Sequence, residues 1–206
     1  MDRDAAFAAP FFTERTEIMR FDEEKELAAL RETQAESTDI FDGFILHVKK
    51  DRVNLPNGEQ AYREIIRHIG AVCVIPVTED NQVIVERQYR YPIARVTTEI
   101  PAGKLDSREE DRLDAIKREL REETGLSAEE WTYLGDYYGA PAYSDERISM
   151  YMARKLHTGN QDLDPDEFLD VHKVPLAELV DQVMDGTIED AKTQVTVLKA
   201  ARILGL

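Results

Sequence analysis

Cysteine is nearly absent from the 206-residue chain, which carries only Cys73. One thiol excludes an internal disulfide framework and suits a reducing compartment. Within the run AVCVIPV it reads as a buried, inert side chain. No apolar run approaches the ~18 residues needed to span a bilayer. The opening MDRDAAFAAPFFTE has acidic residues and no long apolar core, unlike a secretory leader. A soluble, cytoplasmic protein is therefore expected. Positive charge is also scarce: 26 Lys and Arg stand against 42 Asp and Glu, a formal net charge of -16. Such a surface repels nucleic-acid backbones and anionic membranes, so neither is expected as a partner. The four histidines, His47, His68, His157 and His172, are isolated, and there is no HExxH or CxxC pair, which argues against zinc catalysis. A P-loop, a dinucleotide fingerprint, internal repeats and low-complexity tracts are all missing.

What is present is enough apolar material, 42% of the residues, for a packed core. The length allows one domain with an added N-terminal element, or two small ones. Residues 1–21 read as a loose lead, followed by a short helix over Glu23–Thr33 and a strand over Phe41–Val48. Pro56-Asn57-Gly58 marks a turn, and Tyr62–His68 is extended. The β-branched run Ala71–Val77 is a central strand ended by Pro76. A turn at Thr78–Asn81 leads into Gln82–Gln88, which completes a hairpin. A short strand over Val96–Ile100 is closed by Pro101-Ala102-Gly103. A helix follows over Glu110–Thr124, stopped by Gly125. Strands are expected over Trp131–Tyr138, Ile148–Ala153 and Phe168–Val174, with an acidic loop over Asp162–Glu167. Pro175 opens a helix to Val183. Asp190–Ile203 forms the last, its inner face made by Val195, Val197, Leu198, Ala201 and Ile203. The order is neither regular βαβ repetition nor an all-β sandwich. It fits an α/β class with a mixed sheet packed between helices.

The chain is organised around GKLDSREEDRLDAIKRELREETGL, Gly103 to Leu126. On a helical wheel Leu113, Ile116 and Leu120 form the buried stripe. Glu119 and Glu123 lie at its edge, and Glu122 lies further out. Glu119 is a neighbour of both Glu122 and Glu123 at helical spacing, where like charges cost about 0.2–0.5 kcal/mol per pair unless a cation compensates. Carboxylates held on a rigid element suit a hard cation such as Mg²⁺ or Mn²⁺. An Arg within a turn of several Glu, here Arg118, can hold a carboxylate in its ligating orientation.

This stretch resembles the Nudix box: a Gly, an isolated Glu, then Arg-Glu-hydrophobic-x-Glu-Glu-x-Gly-hydrophobic. Gly103, Arg118, Glu119, Leu120, Glu122, Glu123, Gly125 and Leu126 match. The interval from Gly103 to Arg118 is one residue longer than usual. Counting from either end puts the isolated Glu at Glu110 or Glu109, and Glu110 is favoured. The resemblance covers about residues 45–203. It implies a Nudix α/β/α sandwich over 45–206, preceded by an N-terminal extension, 1–44. That extension resembles the region many such enzymes exchange in a dimer, so a homodimer is expected.

Further segments resemble the ADP-ribose pyrophosphatase and nucleotide-sugar hydrolase branch. In Arg87-Gln88-Tyr89-Arg90, Arg87 and Arg90 could grip a diphosphate and Tyr89 stack on a base or sugar. The arginines face either the site or a dimer seam. Glu99-Ile100-Pro101-Ala102-Gly103-Lys104 matches the EIPAGK run of that branch. There Glu99 looks like a substrate-binding residue or a further metal ligand, and Ala102 could offer its carbonyl to the metal. Pro141, 15 residues after Leu126, resembles the branch marker, with Ala140 and Ala142 as departures from its usual context. The acidic loop after the box supplies the expected base, Glu167 first, then Asp166 or Asp164. The resemblance thus implies Mg²⁺- or Mn²⁺-dependent hydrolysis of ADP-ribose to AMP and ribose 5-phosphate. The alternatives are another nucleotide sugar such as GDP-mannose, or a silent nucleotide binder. Metal ligation is expected from Ala102, Glu119, Glu122 and Glu123, and catalysis from Glu122, Glu123, Arg118 and the acidic loop.

Overall fold

A computed structural model describes residues 22–163, 165 and 167–206. The expected lead over 1–21, Asp164 and Asp166 lie outside the described residues. Contacts divide the chain into two compact units. One comprises Asp51–Arg63 with the described residues 22–37, and the other comprises Thr38–Lys50 and Glu64–Leu206.

Helix α1 (Glu23–Leu30) is capped by Asp22, whose carboxylate accepts the Lys25 N–H at 3.1 Å. It ends three residues before the expected Thr33, because Thr33 opens an unexpected strand, β1 (Thr33–Asp42). All ten of its residues are exposed, so it lacks the apolar alternation by which strands are found. The expected strand over Phe41–Val48 is therefore displaced. Residues 43–46 turn the chain, with Gly43 N–H bonded to Leu46 C=O at 2.9 Å. Then β2 (His47–Asn54) and β3 (Gln60–Arg67) complete a sheet of order β1-β2-β3. Within the first unit Arg63 grips Glu32 through Nε at 3.0 Å, and Arg52 pairs with Glu36 at 2.9 Å.

The second unit holds β4 (Ala71–Pro76), β5 (Gln82–Arg90), β6 (Arg95–Glu99), β7 (Ala102–Lys104), α2 (Arg112–Thr124), β8 (Leu126–Tyr137), β9 (Ile148–Thr158), β10 (Leu169–Pro175), α3 (Leu176–Met184) and α4 (Ala191–Leu204). One sheet runs β7-β4-β9-β8 and the other β10-β5-β6. Strands β4 and β9 are parallel, Ala71 opposite Ile148 through Pro76 opposite Ala153, and the remaining pairs of the four-stranded sheet are antiparallel. The uninterrupted apolar run of β4 follows from burial on both faces. Cys73, Ile75 and Val77 pack with Leu176, Leu179, Val197 and Ala201 from α3 and α4. Val72 and Val74 pack with Ala115, Ile116 and Leu120 from α2. Helices thus cover both faces, and the expected α/β/α layering holds.

Strands β4 and β5 do not form the expected hairpin. After a single bridge, Val77 to Val83, they part. Val77 N–H bonds to Ala153 C=O at 2.8 Å, while β5 becomes the middle strand of its own sheet. Each is a central strand needing two neighbours, and each finds them in different sheets. The last helix also differs in its buried face. Thr193, Thr196, Val197, Ala200 and Ala201 are buried, whereas Leu198 and Ile203 are exposed. The buried set keeps the i, i+3, i+4, i+7, i+8 spacing of one helical stripe, and two threonines take places in it that hydropathy alone would give to leucine and isoleucine. Cys73 is fully buried, and burial pushes its thiol up to about 12, so it is inert.

Candidate active site

The site is built on α2. Asp111 starts the helix by accepting the N–H groups of Leu113 at 2.9 Å and Asp114 at 3.0 Å, which satisfies two donors that have no partner inside the helix. The helix begins after the expected Glu110 for that reason. Gly125 ends it with φ +71. A side chain there would also meet Gln161 N at 2.8 Å and Gly159 O at 2.9 Å. This close approach ties the segment before the acidic loop to the end of the helix. Gly159 N–H bonds to Gly125 C=O at 2.6 Å and Asp162 N–H to Glu122 C=O at 2.9 Å. Asp162, the first residue of the loop, is thereby held beside the glutamates.

The wheel predicted from sequence holds: Ile116, Leu120, Glu119 and Glu123 are buried, and Glu122 is partly exposed. Arg118 sits among the acids. It reaches Glu119 at 2.9 Å, Glu122 at 3.2 Å and Glu110 at 3.3 Å. Of the two candidates for the isolated Glu, Glu110 is the one bonded into this network, and it also accepts the Asp106 N–H at 2.7 Å. Glu109 is exposed. Beneath the helix, β7 supplies the Ala102 N–H, which donates to Glu123 Oε2 at 3.0 Å. Gly103 leaves room for Glu119: a Cβ built there would stand 2.0 Å from Glu119 Cδ.

Ala102, Arg118, Glu119, Glu122 and Glu167 line one cleft of about 340 Å³. Glu167 also lines a neighbouring cleft of about 560 Å³, together with Arg87 and Tyr89, and so stands where the two meet. Arg87 Nη1 donates to Thr98 Oγ1 at 3.0 Å. Arg90 turns elsewhere. It grips Glu99 with two bonds of 2.7 Å each, and both lie with Lys192 along a third cleft of about 390 Å³. The two arginines are three positions apart on a strand and so point to opposite faces. Pro141 occupies an exposed turn between β8 and β9 and lines neither of the first two clefts.

Burial sets the electrostatics. It raises Glu123 to about 10, helped by the charges of Glu86 and Glu119. It raises Glu119 to about 7 against the opposing pull of Arg118. Glu86 is raised to about 8 by burial and by Glu99, and among the described residues its buried Oε1 has no hydrogen-bond partner. The charge of Glu167 adds to all three. An uncompensated buried carboxylate costs several kcal/mol. A divalent cation would remove that cost, and the oxygen-only donor set matches a hard ion. The oxygen of Glu86 that has no partner among the described residues fits such an ion. Among the described residues, no three His, Cys, Asp or Glu side chains already stand together as a metal-holding group, and Arg118 occupies the space between carboxylates.

Two contributors escape sequence reasoning. Glu86 carries a faint signal, an acidic residue directly after the buried Val83, Ile84 and Val85 of a central strand. Lys192 carries none, because it meets Glu99 only across 93 positions of chain.

A NUDIX domain model matches residues 67–194. The chain is 40% identical over 160 residues to the methanol dehydrogenase activator of Bacillus methanolicus, covering 77% of this chain and 86% of the relative. It is 37% identical over 169 residues to the ADP-ribose pyrophosphatase of Bacillus subtilis, covering 81% and 91%. A crystal structure of an ADP compounds hydrolase superposes with a TM-score of 0.76 at 23% identity, covering 85% of this chain and 95% of that one. The chain belongs to the Nudix family and is a hydrolase of it.

Proposed function

We propose that this chain hydrolyses the diphosphate of ADP-ribose to AMP and ribose 5-phosphate, using Mg²⁺ or Mn²⁺. The observation that carries the reading is the set of carboxylates on α2, Glu119 and Glu123 buried and Glu122 beside them, with Arg118 bonded among them and Glu167 lining the same cleft. The name of the Bacillus subtilis relative supports the substrate. A bound divalent cation lowers the pKa of a water and neutralises phosphate charge. Ala102 through its carbonyl, Glu119, Glu122 and Glu123 would hold it. Arg118 keeps Glu119 and Glu122 turned toward the cleft. Glu167 accepts the proton as water attacks phosphorus and the bridging P–O bond breaks, the leaving phosphate taking the electron pair. Asp166 and Asp164 are the next choices for that role.

Arg87 grips the diphosphate from the neighbouring cleft, and Tyr89 offers an aromatic face to base or sugar. Arg90 and Glu99 act as a pair, with Glu99 fixing the guanidinium. We infer a cytoplasmic homodimer in which residues 1–44 contribute to the subunit interface and 45–206 form the hydrolase domain. No helix among the described residues is long and apolar enough to cross a membrane.

The test is product release from a panel of nucleotide sugars and dinucleotides with Mg²⁺, with Mn²⁺ and with chelator. Metal-dependent AMP formation from ADP-ribose is expected. Preference for GDP-mannose would keep the chemistry and move the substrate. Tight nucleotide binding without turnover anywhere would overturn the reading in favour of a silent binder.

A further inference from the structure

The mechanism above leaves one buried acid unused. Glu86 and Glu99 stand opposite each other on β5 and β6, and each is 4% exposed. Side chains opposite each other on an antiparallel pair share a face, so the two carboxylates meet the same surroundings. Glu99 is fully provided for: Arg90 grips it twice, Thr97 Oγ1 donates to it at 2.6 Å, and Lys192 bonds it from α4. Glu86 has an oxygen, Oε1, that is buried and, among the described residues, without a hydrogen-bond partner. Its neighbours Ile84 and Val85 are apolar and buried, so an apolar residue would suit the strand better unless the carboxylate had a partner to meet. The groups that act on it are Glu123 from α2, Glu99 from β6 and Glu167 from the acidic loop, against Lys192 and Arg90. Both cations are already committed to Glu99. What the position lacks is a positive charge that the described chain does not supply.

We infer that Glu86 is a ligand for a hard divalent cation, Mg²⁺ or Mn²⁺, presented from the sheet against Glu123 of the helix. The cation set then extends from α2 across to β5, and the partnerless oxygen is its unfilled valence. The inference rests on the proposed metal-dependent hydrolysis but adds a ligand outside the helical motif.

The experiment is Mn²⁺ binding to chelator-stripped protein, followed by electron paramagnetic resonance. It compares wild type, Glu86→Gln and, as the reference loss, Glu119→Gln. Melting temperatures with and without Mn²⁺ are read in parallel. Glu86→Gln should weaken Mn²⁺ binding by at least ~10-fold or remove one ion from the stoichiometry. It should also shrink the Mn²⁺-induced rise in melting temperature, while the metal-free variant melts at or above wild type. Unchanged Mn²⁺ affinity and stoichiometry in folded Glu86→Gln, with wild-type turnover still Mn²⁺-dependent, would overturn the inference and leave the hydrolase reading intact. Failure of both Glu86→Gln and Glu86→Met to fold without metal would also overturn it, since the carboxylate would then be structural. Wild type that binds no Mn²⁺ would remove the metal-dependent reading and the inference together.

Discussion

Two groups of buried carboxylates lie side by side in this chain and are treated in opposite ways. Glu99 is surrounded by Arg90, Lys192 and Thr97. Burial alone would raise its pKa, yet these partners hold it down at about 2. Glu86, Glu119 and Glu123 are buried too, and burial, joined by the charge of Glu167, raises all three, in Glu119 against the opposing pull of Arg118. The first group is complete in the folded chain and behaves as structure. The second stays short of positive charge, which is the property of a site that waits for a ligand.

The largest effect should come from emptying the second group. Glu123→Gln is expected to lower ADP-ribose turnover by about 10³-fold, ~4 kcal/mol of barrier, while urea unfolding of the metal-free variant shows equal or higher stability. A parallel loss of stability and rate would break the contrast.

Lys192→Met attacks the first group and should do the reverse. Stripping one partner from a buried ion pair costs about 3 kcal/mol, read as a lower urea midpoint. Its pH behaviour sharpens the point. The folded pKa of Glu99 lies below its ordinary value of 4.5, so its contribution, on the order of 3 kcal/mol, is complete above that value. It is lost as pH falls through about 2. Lys192→Met should show a shallower acid limb than wild type; an identical limb would mean Glu99 owes little to Lys192.

Gly103→Ala separates fit from stability within the second group. The three atoms nearest the built Cβ all belong to the end of the Glu119 side chain. The carboxylate should move, costing under about 1 kcal/mol of stability but about 10²-fold in rate through misplacement. Restored rate at high Mn²⁺ concentration would locate the defect in cation binding. The smallest effect is expected from Arg87→Ala, outside both groups: a KM about fivefold higher, ~1 kcal/mol, with kcat and melting temperature close to wild type.

Much of this contrast is local in the chain. The wheel of α2, with Glu119 and Glu123 at the edge of the Leu113, Ile116 and Leu120 stripe, follows from a 3.6-residue period. Gly125 as its stop follows from a left-handed φ that other residues avoid. The two-faced burial of β4 is legible in an apolar run without alternation. Other features are not local. Strand β1 has no buried face and left no pattern. Strands β4 and β5 separate after one bridge because their partners, β9 and β10, come from far along the chain. Leu198 and Ile203 read as core and are exposed, because the stripe of α4 runs through Thr193 and Thr196 instead.

By itself, then, the sequence determined which helix carries the acids, where that helix stops, and which of its glutamates press against the core, since each depends on residues within a few turns of one another. Only the tertiary structure decided which carboxylates would be neutralised. Lys192 reaches Glu99 from the last helix, and Glu86 on β5 comes within range of the charge of Glu123 on α2. Charge compensation is a matter of distance and burial in space, and no spacing along the chain encodes it.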